Sequence, residues 1–301
     1  MLLLPCPTPT LRAGDNLTEI LMRGAMSFRV PTTVAIAEMG IAPSEARSVS
    51  RDIIVVSSKA IATVEGSMID LRALVPSADA RDLSRAMGRS AEFCQAMLGE
   101  VQRLNGQILG VVPGAALTEV RPEGMHGSIM VANAGLDESN APEGCAIGWP
   151  KDPVASVARL RKELEQRREE NPSAGSGGKW KMENSKNHFP LPTFHSARSA
   201  VILSDSVCMP RRNGVTAIAL AVSGLDPLQS QKGKKDLFSK PLFITTEAVA
   251  DQLATAANFL MGNAGQSVPA VIIRDHGLKL SDWEGWVPGI EPERDLFRAI
   301  L

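Results

Sequence analysis

The sequence predicts an α+β protein with mixed or antiparallel sheets, and three observations carry that class. Compact β-branched runs at residues 52–57 (DIIVVS) and 200–203 (AVIL) read as buried strands. Amphipathic stretches such as residues 156–168 (SVARLRKELEQRR) read as helices. The two kinds of element do not alternate regularly enough for a doubly wound parallel sheet. A chain of 301 residues holds two modest domains, or one large one, with a substantial core.

Composition narrows the function classes. With 44% hydrophobic and 22% charged residues, the chain is neither polar enough for disorder nor apolar enough for a membrane protein. A net charge of −1 offers no overall attraction to nucleic acid or anionic lipid, so neither is an expected partner. Cys6, Cys94, Cys145 and Cys208 are scattered without CxxC spacing, which argues against a zinc or disulfide framework. The opening MLLLPCP is too short for a signal core, and no run reaches the roughly 18 to 20 uncharged residues of a membrane span. The expected location is the cytoplasm.

In chain order, residues 17–22 (LTEILM) have helical apolar spacing behind Asp15 and Asn16, either of which can cap the helix. Residues 26–46, with Pro31 and Pro43, read as a loop containing one short helical piece. Ser58 and Lys59 follow the strand 52–57 at its carboxyl end. Ligand groups commonly sit at strand ends, so Lys59 either meets a phosphate or is a solvated loop lysine. Residues 77–99 are mainly helical, with candidate caps at Ser77 and Ser90. Strands at 108–112 and 127–131 bracket a Pro- and Gly-punctuated connection. The helix 156–168 buries Val157, Leu160 and Leu164, and residues 172–187 then collapse into Ser, Gly, Lys and Asn, a flexible insertion within 170–198. Strands at 200–203 and 217–222 come next. A long helix at 246–261 begins at Thr245 or Thr246 with Glu247 and ends at Gly262. A strand at 268–273 precedes a tail with Trp283, Trp286 and a short helix over 293–301.

Two acidic stretches are candidate sites. Residues 131–144 (VANAGLDESNAPEG) combine small residues that allow tight turns with Asp137 and Asn140, oxygen donors suited to a hard cation such as Mg2+ or Mn2+. Gly, Asn, Asp and Ser are also standard turn residues, and composition alone favours an ordinary turn. Asp205 follows the run 200–203 at a strand end, where a carboxylate can enter a cleft without burial in the sheet. Arg211 and Arg212 come soon after; the pair suits phosphate or carboxylate recognition, or is simply surface charge. The basic stretch 231–240 (QKGKKDLFSK) reads as an electropositive flap over phosphates or a soluble turn. There is no GxxxxGK[ST], GxGxxG after a strand, HExxH or GxSxG, and the four histidines are dispersed.

Taken together these segments resemble the coenzyme F420-0:L-glutamate ligase family, the GTP-dependent γ-glutamyl ligases, over nearly the whole chain. The resemblance rests on Gly14-Asp15-Asn16-Leu17, Glu65-Gly66, Ala91-Glu92-Phe93, the run from Ala132 to Asn140, and the helix entry from Asp152-Pro153 to Leu160. Further on it rests on Ile202 to Ser206, Arg212 with Gly214, Gly233 to Asp236, and Glu247 to Gly262. It implies that a nucleotide γ-phosphate, from GTP or alternatively ATP, activates a substrate carboxylate as an acyl phosphate, which the amine of L-glutamate attacks with two divalent metals assisting. The acceptor is coenzyme F420-0 or a different small carboxylate. Metal ligands then fall on Asp137, Asp205 and Ser206, and nucleotide contacts on Ser58, Lys59, Asn140 and the loop from Gly262 to Ser267, with Ala264 and Gly265 inside it. Arg212 is the candidate catalytic cation beside the two aspartates. The resemblance also implies a homodimer of chains with two interleaved subdomains, 1–90 plus 199–301 and 91–198.

The departures cluster around the nucleotide and substrate. The family's Ser-Lys-Ala-Glu-Gly is Ala62-Thr63-Val64-Glu65-Gly66 here, so Thr63 replaces a lysine. The Gly and Arg after the second aspartate are absent, Met209 standing near that place, and an acidic second-metal ligand falls on Asn263. Insertions around 26–47 and 170–198 have no counterpart. A divergent ligase is the leading reading; a relative that keeps the fold and binds a ligand without turnover is the alternative.

Overall fold

The computed structural model describes residues 1–27, 52–170 and 198–298. Its elements begin with β1 (Leu2–Cys6), α1 (Leu17–Ser27), β2 (Asp52–Ser57), α2 (Ser58–Val64), β3 (Met68–Asp70), α3 (Ala78–Met87) and α4 (Ala91–Arg103). Then come β4 (Gln107–Val112), β5 (Ala115–Val120), β6 (Ile129–Ala132), β7 (Cys145–Ile147), α5 (Pro153–Glu170), β8 (Ser199–Cys208) and β9 (Val215–Ser223). The chain continues through β10 (Gln229–Ser230), β11 (Thr246–Glu247), α6 (Val249–Met261), β12 (Ala270–Arg274) and β13 (Glu284–Trp286). The class is α+β.

A six-stranded sheet in the order β1-β12-β2-β8-β9-β13 is the frame. Its neighbours are antiparallel except β2 and β8, so the sheet is mixed. Both faces are covered. Ile54, Val56, Val201, Leu203 and Ile272 pack under α1 and α5, whereas Ile53, Val55, Ala200, Ile202, Val271 and Ile273 pack under α6. A strand buried on both faces reads as an unbroken apolar run, which is why residues 52–57 were legible. Helix α6 meets the sheet through Val249, Leu253, Ala257 and Met261 at helical spacing. A smaller core, from Leu71 and Met87 to Phe93, Met97, Ala116 and Leu136, joins α3 and α4 to the sheet β4-β5-β6.

Several expected boundaries hold. Asn16 Oδ1 accepts from Glu19 N–H, Ser77 Oγ from Ala80 N–H and Ser90 Oγ from Phe93 N–H, so all three caps form. Gly262, at φ 67°, ends α6. Other expectations need correction. Residues 2–6, to which the sequence reading assigned no element, form an edge strand, where Pro5 lacks only an N–H that the edge does not need. The connection expected between residues 112 and 127 contains β5. The long helix starts at Val249 rather than Thr246, because residues 246–247 pair with 229–230 as a ribbon, and Ala248 caps it without a side-chain bond. Asp205 lies inside the ten-residue β8 rather than beyond a strand end. The tail shows only a short 3-10 turn at Pro292–Arg294 where a terminal helix was expected. Met26 and Ser27, expected to open a loop, instead end α1, and the rest of that loop at 28–46, the insertion core at 172–187, and His188 and His195 lie outside the described residues. Among the described residues no helix is long and apolar enough to cross a membrane.

Candidate active site

The site forms where the parallel pair β2 and β8 ends. Their pairing stops at Ser57 and Ser204; β2 turns into α2 while β8 runs on for four more residues. A register shift between Leu203 and Ser204 marks a bulge in the β8–β9 ladder immediately before Asp205, and bulges re-aim the side chains that follow. The Asp205 carboxylate is held from two sides. Ser58 Oγ donates to Oδ1 at 3.0 Å and Trp149 Nε1 donates to Oδ2 at 2.5 Å. Burial pushes the Asp205 carboxyl above the usual carboxylate range. The Trp149 indole, Ser206 N–H, the Ser58 hydroxyl and the Lys59 charge offset only part of that rise.

The facing loop leaves β6 through three left-handed residues, Asn133, Ala134 and Gly135. Thr118, fully buried, donates to Val131 O and accepts from Ala134 N–H, while Asn133 Oδ1 accepts from Ala116 N–H. These bonds tie an unusual backbone to β5 and present Asp137, whose main chain exchanges two hydrogen bonds with Ile147. Lys59 Nζ donates to Asp137 Oδ2 at 2.5 Å and to Ser139 Oγ at 2.7 Å. Burial pushes Asp137 up, but the hydrogen bonds of Lys59 and Ser139 together with the Lys59 charge hold it below the ordinary carboxylate value. The two aspartates are therefore set apart electrostatically, one paired with a lysine and the other held by neutral donors.

Between them lies a cleft of about 750 Å³. Of the residues singled out in the sequence, Lys59, Asn140, Gly262, Asn263, Ala264, Gly265, Asp137, Asp205 and Ser206 line it, and Ser206 Oγ donates to Asn263 Oδ1 at 2.8 Å. Ser58 touches it through Asp205. Arg212 does not line it: with Arg211 it sits exposed on the β8–β9 turn, although Val215 from that hairpin reaches the cleft. Thr63, which stands where the family has a lysine, also lines it, and unforeseen lining residues are Thr8, Pro9, Thr10 and Leu11 after β1, together with Met68 and Asn258. Recognising residues 2–6 as a strand would have put that first loop at a strand end.

The donors available to a cation are carboxylate, amide and hydroxyl oxygens, which suit Mg2+ or Mn2+ rather than a soft metal. Among the described residues no group of three or more His, Cys, Asp or Glu could hold a metal. A cation here would complete its shell with water and phosphate oxygens, as Mg2+ commonly does. The donor set fits such an ion.

On the other face of α2 a second cavity, about 980 Å³, gathers Asp15, Asn16, Glu65, Ser156, Arg159 and Glu163. There Ser156 and Arg159 hold Glu65, and Thr18 donates to Glu163 at 2.5 Å. Gly14 to Leu17, Glu65 and the α5 entry thus meet away from the aspartate cleft.

The chain matches the family model described as F420-0:Gamma-glutamyl ligase over residues 6–173 and 192–275. It is 35% identical to the coenzyme F420:L-glutamate ligase of Methanocaldococcus jannaschii, covering 82% of this chain and 84% of that one. The Methanothermobacter thermautotrophicus ligase of the same name is 34% identical over 82% and 85% of the two chains. The one from Archaeoglobus fulgidus is 29% identical over 97% and 94%. A match spanning most of the chain, with the two acidic stretches in one cleft, shows that this protein belongs to the F420-0:gamma-glutamyl ligase family of enzymes.

Proposed function

We propose that the chain joins the amine of L-glutamate to the carboxylate of a small acceptor, coenzyme F420-0 or a related acid, using GTP or ATP with Mg2+ or Mn2+. The observation that carries this reading is the convergence of Asp137, Asp205, Ser206, Asn263, Lys59 and Asn140 on one cleft with the loop from Gly262 to Ser267. An acceptor oxygen attacks the γ-phosphorus, the bond to the bridging oxygen breaks, and a nucleoside diphosphate leaves. The glutamate nitrogen then attacks the acyl carbon, loses a proton and expels phosphate. Asp137, Asp205 and Ser206 would hold one cation, with Asn263 at the place of a ligand to a second, and bound cations would neutralise phosphate charge. Lys59 bridges Asp137 and Ser139 and gives the cleft a fixed positive group for a phosphate oxygen. Asn140 and the Gly262–Ser267 backbone border the space left for the nucleotide. Calorimetric titration of GTP and ATP with each metal, followed by glutamate-dependent phosphate release, tests the reading. Metal-dependent binding of one nucleotide supports it; binding of neither moves the protein to the non-catalytic alternative.

We also infer a homodimer, supported by the arm between β10 and β11. Gly233 and Lys234 bond Leu242 across it, and it presents Leu237, Phe238, Phe243 and Ile244 at 76–100% exposure. An apolar group this exposed favours coverage, and a second copy supplies it symmetrically. Phe238→Asp together with Phe243→Asp is expected to give a monomer in sedimentation analysis; an unchanged dimer would remove the arm from the interface.

A further inference from the structure

Trp149 has no role in the chemistry above, yet it joins both halves of the site. Its indole is 2% exposed and donates to Asp205 Oδ2 at 2.5 Å. The ring packs beside Trp286, with centroids 6.1 Å apart, and against Gly135, where any Cβ would collide with the indole. Gly135 stands two residues before Asp137 in a left-handed stretch of the loop. One buried ring therefore contacts both the strand that carries Asp205 and the loop that carries Asp137. The hydrogen-bond donors to Asp205 are the indole, the Ser58 hydroxyl and Ser206 N–H, all of them neutral. Neutral donors orient a carboxylate and leave it its charge, whereas an arginine in their place would offset much of it.

We propose that Trp149 is a positioning residue that fixes the Asp205 carboxylate against the Asp137 loop, so that both present oxygen to one divalent cation. This rests on the ligase reading above. Hydrogen-bond partners behind metal ligands are typically worth roughly 10- to 100-fold in metal affinity.

The test is direct Mn2+ binding, read from the free-ion electron paramagnetic resonance signal. It compares wild type, Trp149→Phe, the chain with 3-benzothienylalanine in place of Trp149, and Trp286→Phe. The benzothienyl ring keeps the indole's volume and lacks its N–H, so it isolates the hydrogen bond even where Phe loosens the core. Both changes at position 149 are expected to raise the Mn2+ dissociation constant about tenfold, at the lower end of that range. Trp286→Phe is expected to leave it unchanged, because that indole donates to Glu123 O at 3.1 Å instead. Wild-type Mn2+ affinity in the benzothienyl protein overturns the positioning role while the ligase reading stands. No Mn2+ binding by wild type overturns the positioning role, and the ligase reading is then decided separately by metal-dependent nucleotide binding.

Discussion

Asp205→Asn is expected to lower glutamate-dependent turnover about 1,000-fold while leaving the protein at least as stable as wild type at neutral pH. The rate follows from charge. Removing the carboxylate weakens stabilisation of the phosphoryl-transfer transition state by about 4 kcal/mol, close to three factors of ten. The stability follows from burial. The folded state raises the Asp205 carboxyl above its unfolded value, so it binds the proton more tightly than the unfolded chain does. The stabilisation gained from that proton is full below the unfolded value and is lost as pH rises through the raised one. Above that window the wild type carries a half-buried charge that asparagine does not. Thermal melts from pH 4 to 8 should show the variant's advantage at the upper end shrinking as pH falls. Retained turnover in Asp205→Asn would remove Asp205 from the chemistry. Lower stability at neutral pH would mean that its carboxylate is a structural asset, not a strained functional group. Functional sites held against stability behave in the first way.

The contrast between Asp137 and Asp205 shows which parts of the site were legible in the sequence. Both were readable as acids beside apolar strands, because strand-forming runs and turn residues are local patterns. Their different electrostatics were not, because the groups that create them are distant: Lys59 is 78 residues from Asp137, and Trp149 is 56 from Asp205. Local pattern also failed where two elements abut without punctuation. Helix α2 begins at the residue after β2 ends, and no Gly or Pro marks the change. The opening MLLLPCP was weighed only as a signal core, so β1 went unread, although an edge position tolerates its Pro5. That omission concealed the loop from Thr8 to Leu11 as a cleft wall. The basic stretch at 231–240 was read by its lysines, whereas its exposed Leu237 and Phe238 are its more consequential surface.

The second large effect is expected far from the cleft. Arg274 on β12 donates through Nε and Nη2 to the two oxygens of Asp52 on β2, at 2.8 and 2.9 Å. Asp52 is fully buried and Arg274 is 8% exposed. Asp52→Ala should destabilise by about 3 to 5 kcal/mol, because it takes the bidentate carboxylate away from a guanidinium whose desolvation has already been incurred. At roughly 2 to 4 °C per kcal/mol for a chain somewhat smaller than this one, the melting temperature should fall by about 10 °C. The loss measures a guanidinium deprived of its carboxylate, and the pair itself need not stabilise the fold. Replacing both groups, Asp52→Leu with Arg274→Met, should therefore recover most of the loss. A double-mutant cycle in denaturant separates these terms. If the double replacement is as unstable as Asp52→Ala, the bidentate pair contributes net stability, and the β2–β12 junction depends on its geometry as well as on burial.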